Sequence, residues 1–178
     1  EIEKKITKKT KAIIPVHLSG DIGHMSLIQK IAKKYNLFII EDAAQSIGSS
    51  LNKIKSGCFG TLGCFSAHPL KNLNAMGDSG FIINNNKNYY DKIKLYINHG
   101  LKSRGNSKFF GHVSRMDNLQ AAILEYRLKG LNKRILLRRK IAKLYISELQ
   151  FLPIKLPIES KKRIHSYHLF VIQTKQRN

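Results

Sequence analysis

The chain has 178 residues, an apolar content of 42% and a formal net charge of +21. That length supports one hydrophobic core, so one domain or most of one is expected. No apolar run approaches membrane-spanning length, and Glu1-Ile2-Glu3-Lys4-Lys5 is no signal peptide, so no membrane partner is expected.

The basic residues run from Lys4 to Arg177 with no Arg-rich tract and no aromatic-interleaved patch. The charge therefore reads as lysine on solvated faces, and nucleic acid is not the expected partner. Cys58 and Cys64 lack the second pair that a zinc site needs, and no other metal-ligand spacing is present, so no metal is expected. They read as free, buried thiols in a reducing cytosol, which places the protein in the cytoplasm.

In chain order, Ile2 to Lys11 is basic and expected to be helical. Ala12 to Leu18 is an apolar run of strand length, and Ser19-Gly20-Asp21 is a turn. Met25, Leu27, Ile28, Ile31 and Ala32 recur at helical spacing, Asn36 ends that helix, and Leu37 to Ile40 is a second apolar strand. Two apolar strands joined by a helix make a βαβ unit, hence a parallel sheet covered on both faces. Ser46 to Gly60 is a loop with a small hairpin around Leu51-Asn52-Lys53-Ile54.

Leu62 to Phe65 and Phe81 to Ile83 read as strands. Tyr89, Ile93, Tyr96 and Ile97 mark a helix ending near Asn98-His99-Gly100. Leu101 to Ser114 is expected to be an exposed, mobile loop. Leu119, Ile123, Leu124, Leu128, Leu131 and Ile135 form a long helical stripe that Gly130 kinks or divides, with Arg134, Arg138, Arg139, Lys140 and Lys143 on its solvated face. Pro153 and Pro157 end it. His165 to Ile172 alternates as a strand would, with nothing to pair with, which suggests a fragment. His17, His68, His99, His112, His165 and His168 are scattered and read as packing or loop residues.

Two places invite chemistry. Lys71 follows the strand Leu62–Phe65 in a loop broken by Pro69, where half-burial of an ammonium would supply the amine that a pyridoxal phosphate Schiff base needs. The alternative is an ordinary surface lysine. Asp42 stands at the carboxyl end of Leu37–Ile40, where open α/β sheets bind ligands, and is equally a candidate helix cap.

Four stretches taken together, Pro15-Val16-His17-Leu18-Ser19-Gly20, Glu41-Asp42-Ala43-Ala44-Gln45-Ser46-Ile47-Gly48, Cys64 through Gly80, and Ser114-Arg115-Met116-Asp117 with Leu119-Gln120-Ala121-Ala122, resemble the DegT/StrS family of sugar-nucleotide aminotransferases. The likeness runs from about Lys5 to Ile172. It implies an α/β fold, the three-layer, mostly parallel sheet of the fold-type I pyridoxal-phosphate transferase large domain. Residues 1–130 would be part of that domain, truncated at both ends, and 131–178 a linking helix and the start of a small C-terminal domain.

The resemblance also implies roles. Lys71 would bind pyridoxal phosphate covalently and carry the proton, Asp42 would pair with the ring nitrogen, Gln45 with the ring oxygen and Ser66 with the phosphate. His68 and Asn72 would stand behind these. Where many relatives carry an asparagine that reaches the neighbouring subunit's site, this chain has Val113, while Arg115 is kept as a possible cross-subunit contact. The implied activity is transfer of an amino group from glutamate or glutamine to a nucleoside-diphosphate-linked keto-sugar, by a homodimer. A sugar dehydratase using pyridoxamine phosphate is disfavoured by Lys71, and a non-catalytic regulatory member is the other alternative.

Overall fold

The structure is a computed structural model and describes residues 1–175; Gln176, Arg177 and Asn178, the tail of the 131–178 segment, lie outside the described residues. In chain order the elements are β1 (Ala12–Ile13), α1 (Met25–Lys34), β2 (Phe38–Asp42), β3 (Ser50–Leu51), β4 (Ile54–Lys55), β5 (Leu62–Ser66), β6 (Gly80–Ile83), α2 (Lys87–Tyr96), β7 (Leu101–Ser103), β8 (Asn106–Ser107), α3 (Asn118–Lys129), α4 (Leu131–Leu149) and β9 (Arg163–Ile164). The main sheet has the order β1-β2-β5-β6, with the first two pairings parallel and β6 antiparallel to β5. It is the mostly parallel α/β sheet that the sequence predicts.

The apolar stripe of α1 buries Met25, Ile28 and Ala32, which form one core with Ile22 and with Ile39 of β2. Asn36 ends that helix in a left-handed conformation (φ 51°). Leu37 N–H donates to Ala32 O at 2.8 Å and Asn36 N–H to Lys33 O at 3.4 Å, the paired bonds that close a helix C-terminus. A second core joins Ala67, Leu73 and Ala75, from the loop after β5, to Leu124 of α3 and to Leu131 and Ile135 of α4. Gly130 divides α3 from α4, as expected. The hairpin β3–β4 also forms, with Asn52 and Lys53 both at positive φ in its two-residue turn.

Strand parity sorts the sheet faces. Ile39 and Glu41 of β2 are buried, whereas Phe38, Ile40 and Asp42 point the other way and are exposed or half-buried. On that second face α2 brings Tyr89 edge-on to Phe38, with ring centroids 6.4 Å apart. Tyr90 and Ile93 line, with Cys64, Ile82 and Met116, a cavity of about 730 Å³. Phe38 keeps 50% and Ile82 43% of its surface exposed, so among the described residues this second face is only partly covered.

Other expectations are corrected too. Ile2 to Lys11 forms a single 3-10 turn at Glu3–Lys5, because Thr7 and Thr10 take neighbouring backbone N–H groups onto their hydroxyls. The first strand stops at Ile13, since Pro15 offers no donor, and Val16 makes only a single bridge to Asp42. Leu101 to Ser114 contains the hairpin β7–β8, turned at Gly105 (φ 77°). Cys58 is exposed and Cys64 half-buried, so neither thiol is in a core.

The largest correction is at the C-terminal end. The strand is Arg163–Ile164, not His165–Ile172, and it has a partner, β3. His165, Ser166 and Tyr167 then bury themselves without strand pairing. Arg139 forms an ion pair with Glu159 and donates to His165 O at 3.0 Å, and Arg138 donates to Tyr167 O at 3.1 Å. These two arginines therefore hold the segment down rather than lying idle on a solvated face. Gly20 (φ 97°) makes the close approach possible. A Cβ there would stand 2.5 Å from Ser166 Oγ and 2.9 Å from the backbone nitrogen of His168. Gly20→Ala should therefore cost about 1–3 kcal/mol of stability. It should also open the 150–175 segment to limited proteolysis, with cleavage mapped by mass spectrometry; unchanged cleavage would show that the contact does not hold the segment.

Candidate active site

The residue that shapes the carboxyl end of β2 is Glu41, which is fully buried. Its Oε1 accepts N–H bonds from Phe59 and Gly60, each at 2.6 Å, and its Oε2 accepts the Gly57 N–H at 2.7 Å and His17 Nε2 at 2.9 Å. Four donors fill the acceptor positions of one carboxylate. His17 is also fully buried and takes the Gly23 N–H on Nδ1 at 3.5 Å. Neither residue was singled out by sequence reasoning. The signal was there: Glu41 shares strand parity with buried Ile39, and a glycine-rich loop follows to offer bare amides.

On the opposite face of the same strand, Asp42 is half-buried and pairs in register with Cys64 of β5. Its Oδ1 accepts the Ala44 N–H at 3.1 Å, and its Oδ2 has no partner among the described residues. No helix follows, so Asp42 caps none. Ser66 lies two residues beyond Cys64, on that same face, at the carboxyl end of β5. Its Oγ accepts the His68 N–H at 3.3 Å, which leaves its own proton to donate. Gln45 follows β2; its Oε1 accepts the Ser19 N–H at 2.7 Å, and its amide nitrogen has no partner among the described residues. Asp42, Gln45 and Ser66 thus gather at the carboxyl ends of two neighbouring strands.

Lys71 sits in the loop that leaves β5 at Ser66 and returns at Gly80, and these two residues pair in register. It is half-buried, and its Nζ has no carboxylate partner among the described residues. The loop is braced from several sides. Asn72, buried, donates to Ser166 O at 3.3 Å; Gln120 accepts the Met76 N–H at 2.8 Å; Arg127 donates to Asn74 O at 2.9 Å. His68 takes the Leu70 N–H on Nδ1 at 3.2 Å. Arg115 stands apart, exposed at the mouth of the 730 Å³ cavity, two residues beyond exposed Val113. Buried atoms without a partner among the described residues include Asn72 Oδ1, Ser79 Oγ and His168 Nδ1.

The family model for the DegT/DnrJ/EryC1/StrS aminotransferases matches residues 1–178. The chain is 41% identical, over 99% of its length, to a dTDP-3-amino-3,6-dideoxy-alpha-D-galactopyranose transaminase of Aneurinibacillus thermoaerophilus, and covers 49% of it. It is 39% identical, over all of its length, to a pleiotropic regulatory protein of Geobacillus stearothermophilus, again covering 49%. Among solved structures it resembles S. venezuelae DesV in complex with a ketimine intermediate, at 34% identity and a TM-score of 0.95, covering 99% of this chain and 48% of that one. The chain spans about half the length of the curated relatives it matches.

Charges around the loop are felt by its neighbours. Burial, then the cations Lys71 and Arg138, push the His168 imidazole below the usual histidine range. Burial likewise lowers His165, against the partial pull of Asp21 and Glu159. Burial, with Asp42 and Glu41 adding to it, raises the Cys64 thiol. A histidine whose folded pKa is depressed lets the unfolded chain take up protons first. Its contribution is whole above the unfolded pKa of about 6.5 and is lost as the pH falls towards the folded value. Denaturant midpoints measured between about pH 7.5 and about pH 5.5 should therefore fall on acidification, and fall less in His165→Asn/His168→Asn. Equal slopes in both proteins would assign the loss to other groups.

Proposed function

The chain belongs to the DegT/DnrJ/EryC1/StrS aminotransferase family, and from that premise we propose that the whole protein is a pyridoxal-phosphate-dependent aminotransferase acting on a nucleoside-diphosphate-linked keto-sugar. The observation that carries the proposal is the gathering of Asp42, Gln45 and Ser66 at the strand ends, beside the loop that holds Lys71. A carboxylate oxygen and an amide nitrogen without a partner among the described residues, with one hydroxyl proton and one amine, fit the nitrogen, ring oxygen, phosphate and aldehyde carbon of that cofactor. The names of similar proteins, a sugar transaminase and a ketimine complex, support the same chemistry.

When bound, the cofactor supplies an electron sink for the carbon that loses or gains the amino group. Asp42 would hold a proton on the ring nitrogen through its Oδ2, which has no partner among the described residues. Gln45 donates its amide N–H to the ring oxygen, and Ser66 its hydroxyl to the phosphate. Lys71 Nζ would hold the cofactor and would move the proton at the reacting carbon. Asn72 and Gln120 keep the Lys71 loop in place.

The amino donor in this proposal is glutamate or glutamine, and the protein is a cytoplasmic homodimer, a setting that suits free cysteines. Arg115, exposed and without a carboxylate partner among the described residues, is the residue offered to a second subunit. Residues 1–130 belong to the cofactor-binding domain and 131–178 to the link and the start of a small domain. A regulatory, non-catalytic role is the second reading, favoured by the name of the relative from Geobacillus stearothermophilus.

In the full-length protein, borohydride should fix the cofactor on Lys71, and the visible band should vanish in Lys71→Ala. Label on another lysine, with Lys71→Ala still coloured, would overturn the assignment. Asp42→Asn should keep the band and lose roughly a hundredfold or more in turnover. A coloured protein with no turnover on any nucleotide-linked keto-sugar would favour the regulatory role.

A further inference from the structure

His17 and Glu41 form a fully buried imidazole–carboxylate pair whose ring and carboxylate bond to each other and to the amides of Gly23, Gly57, Phe59 and Gly60. Such a pair is weak evidence for stability, because well-packed apolar residues of the same volume often do as well. It gains meaning from what lies on either side of it in the chain. Asp42 N–H donates to Pro15 O at 3.0 Å, and His17 N–H donates to Asp42 O at 3.0 Å. The Pro15–His17 backbone therefore grips Asp42 from both sides of its peptide. Two residues on, Ser19 N–H bonds Gln45 Oε1 at 2.7 Å from a left-handed backbone conformation (φ 60°).

One short segment thus fixes both the carboxylate and the amide, and the His17 ring fixes the segment. Its Nε2–H is anchored on Glu41, which three loop amides immobilise, and its Nδ1 accepts the Gly23 N–H, so the ring is tied at both nitrogens. We propose that the His17–Glu41 pair is a positioning device for Asp42 and Gln45, with His17 as a positioning residue that never meets the cofactor. The inference rests on Asp42 and Gln45 being cofactor contacts, as proposed above. Loss of the anchor would let the 15–19 segment drift, rotate the Gln45 amide and loosen Asp42. A displacement of that size in a preorganised site is felt in rate and in the cofactor's electronic state.

The test uses the full-length protein loaded with pyridoxal phosphate. In His17→Asn the shorter amide does not reach Glu41. It should shift the pH midpoint of the visible band and weaken cofactor binding, measured by reconstitution of the apoprotein, by about tenfold, the scale of one hydrogen bond to a charged group. His17→Gln, whose amide nitrogen can occupy the place of Nε2, should restore both. The midpoint shift should shrink when His17→Asn is placed in a Gln45→Ala background, leaving the part that passes through Asp42. Should His17→Asn fail to fold, Glu41→Gln, which exchanges an acceptor for a donor in the same volume, should produce the same shift.

A folded variant with a lowered melting temperature but an unmoved midpoint would overturn the inference and leave His17 a packing residue. So would failure of His17→Gln to restore the wild-type midpoint. A wild-type protein with no band attached to Lys71 is a separate outcome, since it removes the cofactor assignment and this inference with it.

Discussion

A carboxylate shut away from water must be surrounded by donors, and the Glu41 carboxylate is held by four. Hydrogen bonds to a charged group contribute about 1.5–3 kcal/mol each, and the desolvation they offset is of similar total size, so the arrangement is all or none. Its reach is wide. The loop from Gly57 to Gly60 must lie flat against β2, close enough that a Cβ on Gly60 would stand 2.6 Å from Ile39 O. Thr61 N–H then bonds Ile39 O at 2.7 Å, and β5 starts beside Ile40. That register sets Cys64 beside Asp42 and carries Ser66 and the Lys71 loop to their places.

What periodicity could disclose was local. The stripe of α1, the left-handed stop at Asn36, the β3–β4 turn and the division at Gly130 each depend on neighbours within a few positions, and each is visible in the sequence. The end of the apolar run before Asp42 and the proline-broken loop around Lys71 were legible as well, whereas Gln45 and Ser66 stood out only through the family resemblance. The partners of His17 were not, because Glu41 is 24 residues away in the chain and meets it only once the sheet exists.

The C-terminal misjudgement has the same origin. The alternation from His165 to Ile172 looks like a strand, yet the backbone of its first residues bonds to Gly20, Ser49, Arg138 and Arg139 instead of a ladder. His165 and Tyr167 use their alternation to stack on each other, with centroids 4.0 Å apart. Arg138 and Arg139 show the limit of charge counting. In a chain of +21 any single arginine looks spare, and only tertiary contact shows that these two hold carbonyls of the C-terminal segment.

The clasp between the 163–168 segment and Gly20–Asp21 bears on how the molecule forms. Arg163 reaches Asp21 at 2.7 Å across 142 positions, and Asn72 meets Ser166 across 94. Contacts of that separation are entropically costly to close and come late. On a ribosome the sheet can pair as soon as β6 has emerged at Ile83, but the brace on Asn72 must wait for Ser166, several seconds of synthesis at ordinary elongation rates. Through that interval the lysine loop is tethered by its own strand ends and by whatever of α3 and α4 has appeared. The order of synthesis therefore assembles the floor of the site first and locks its rim last.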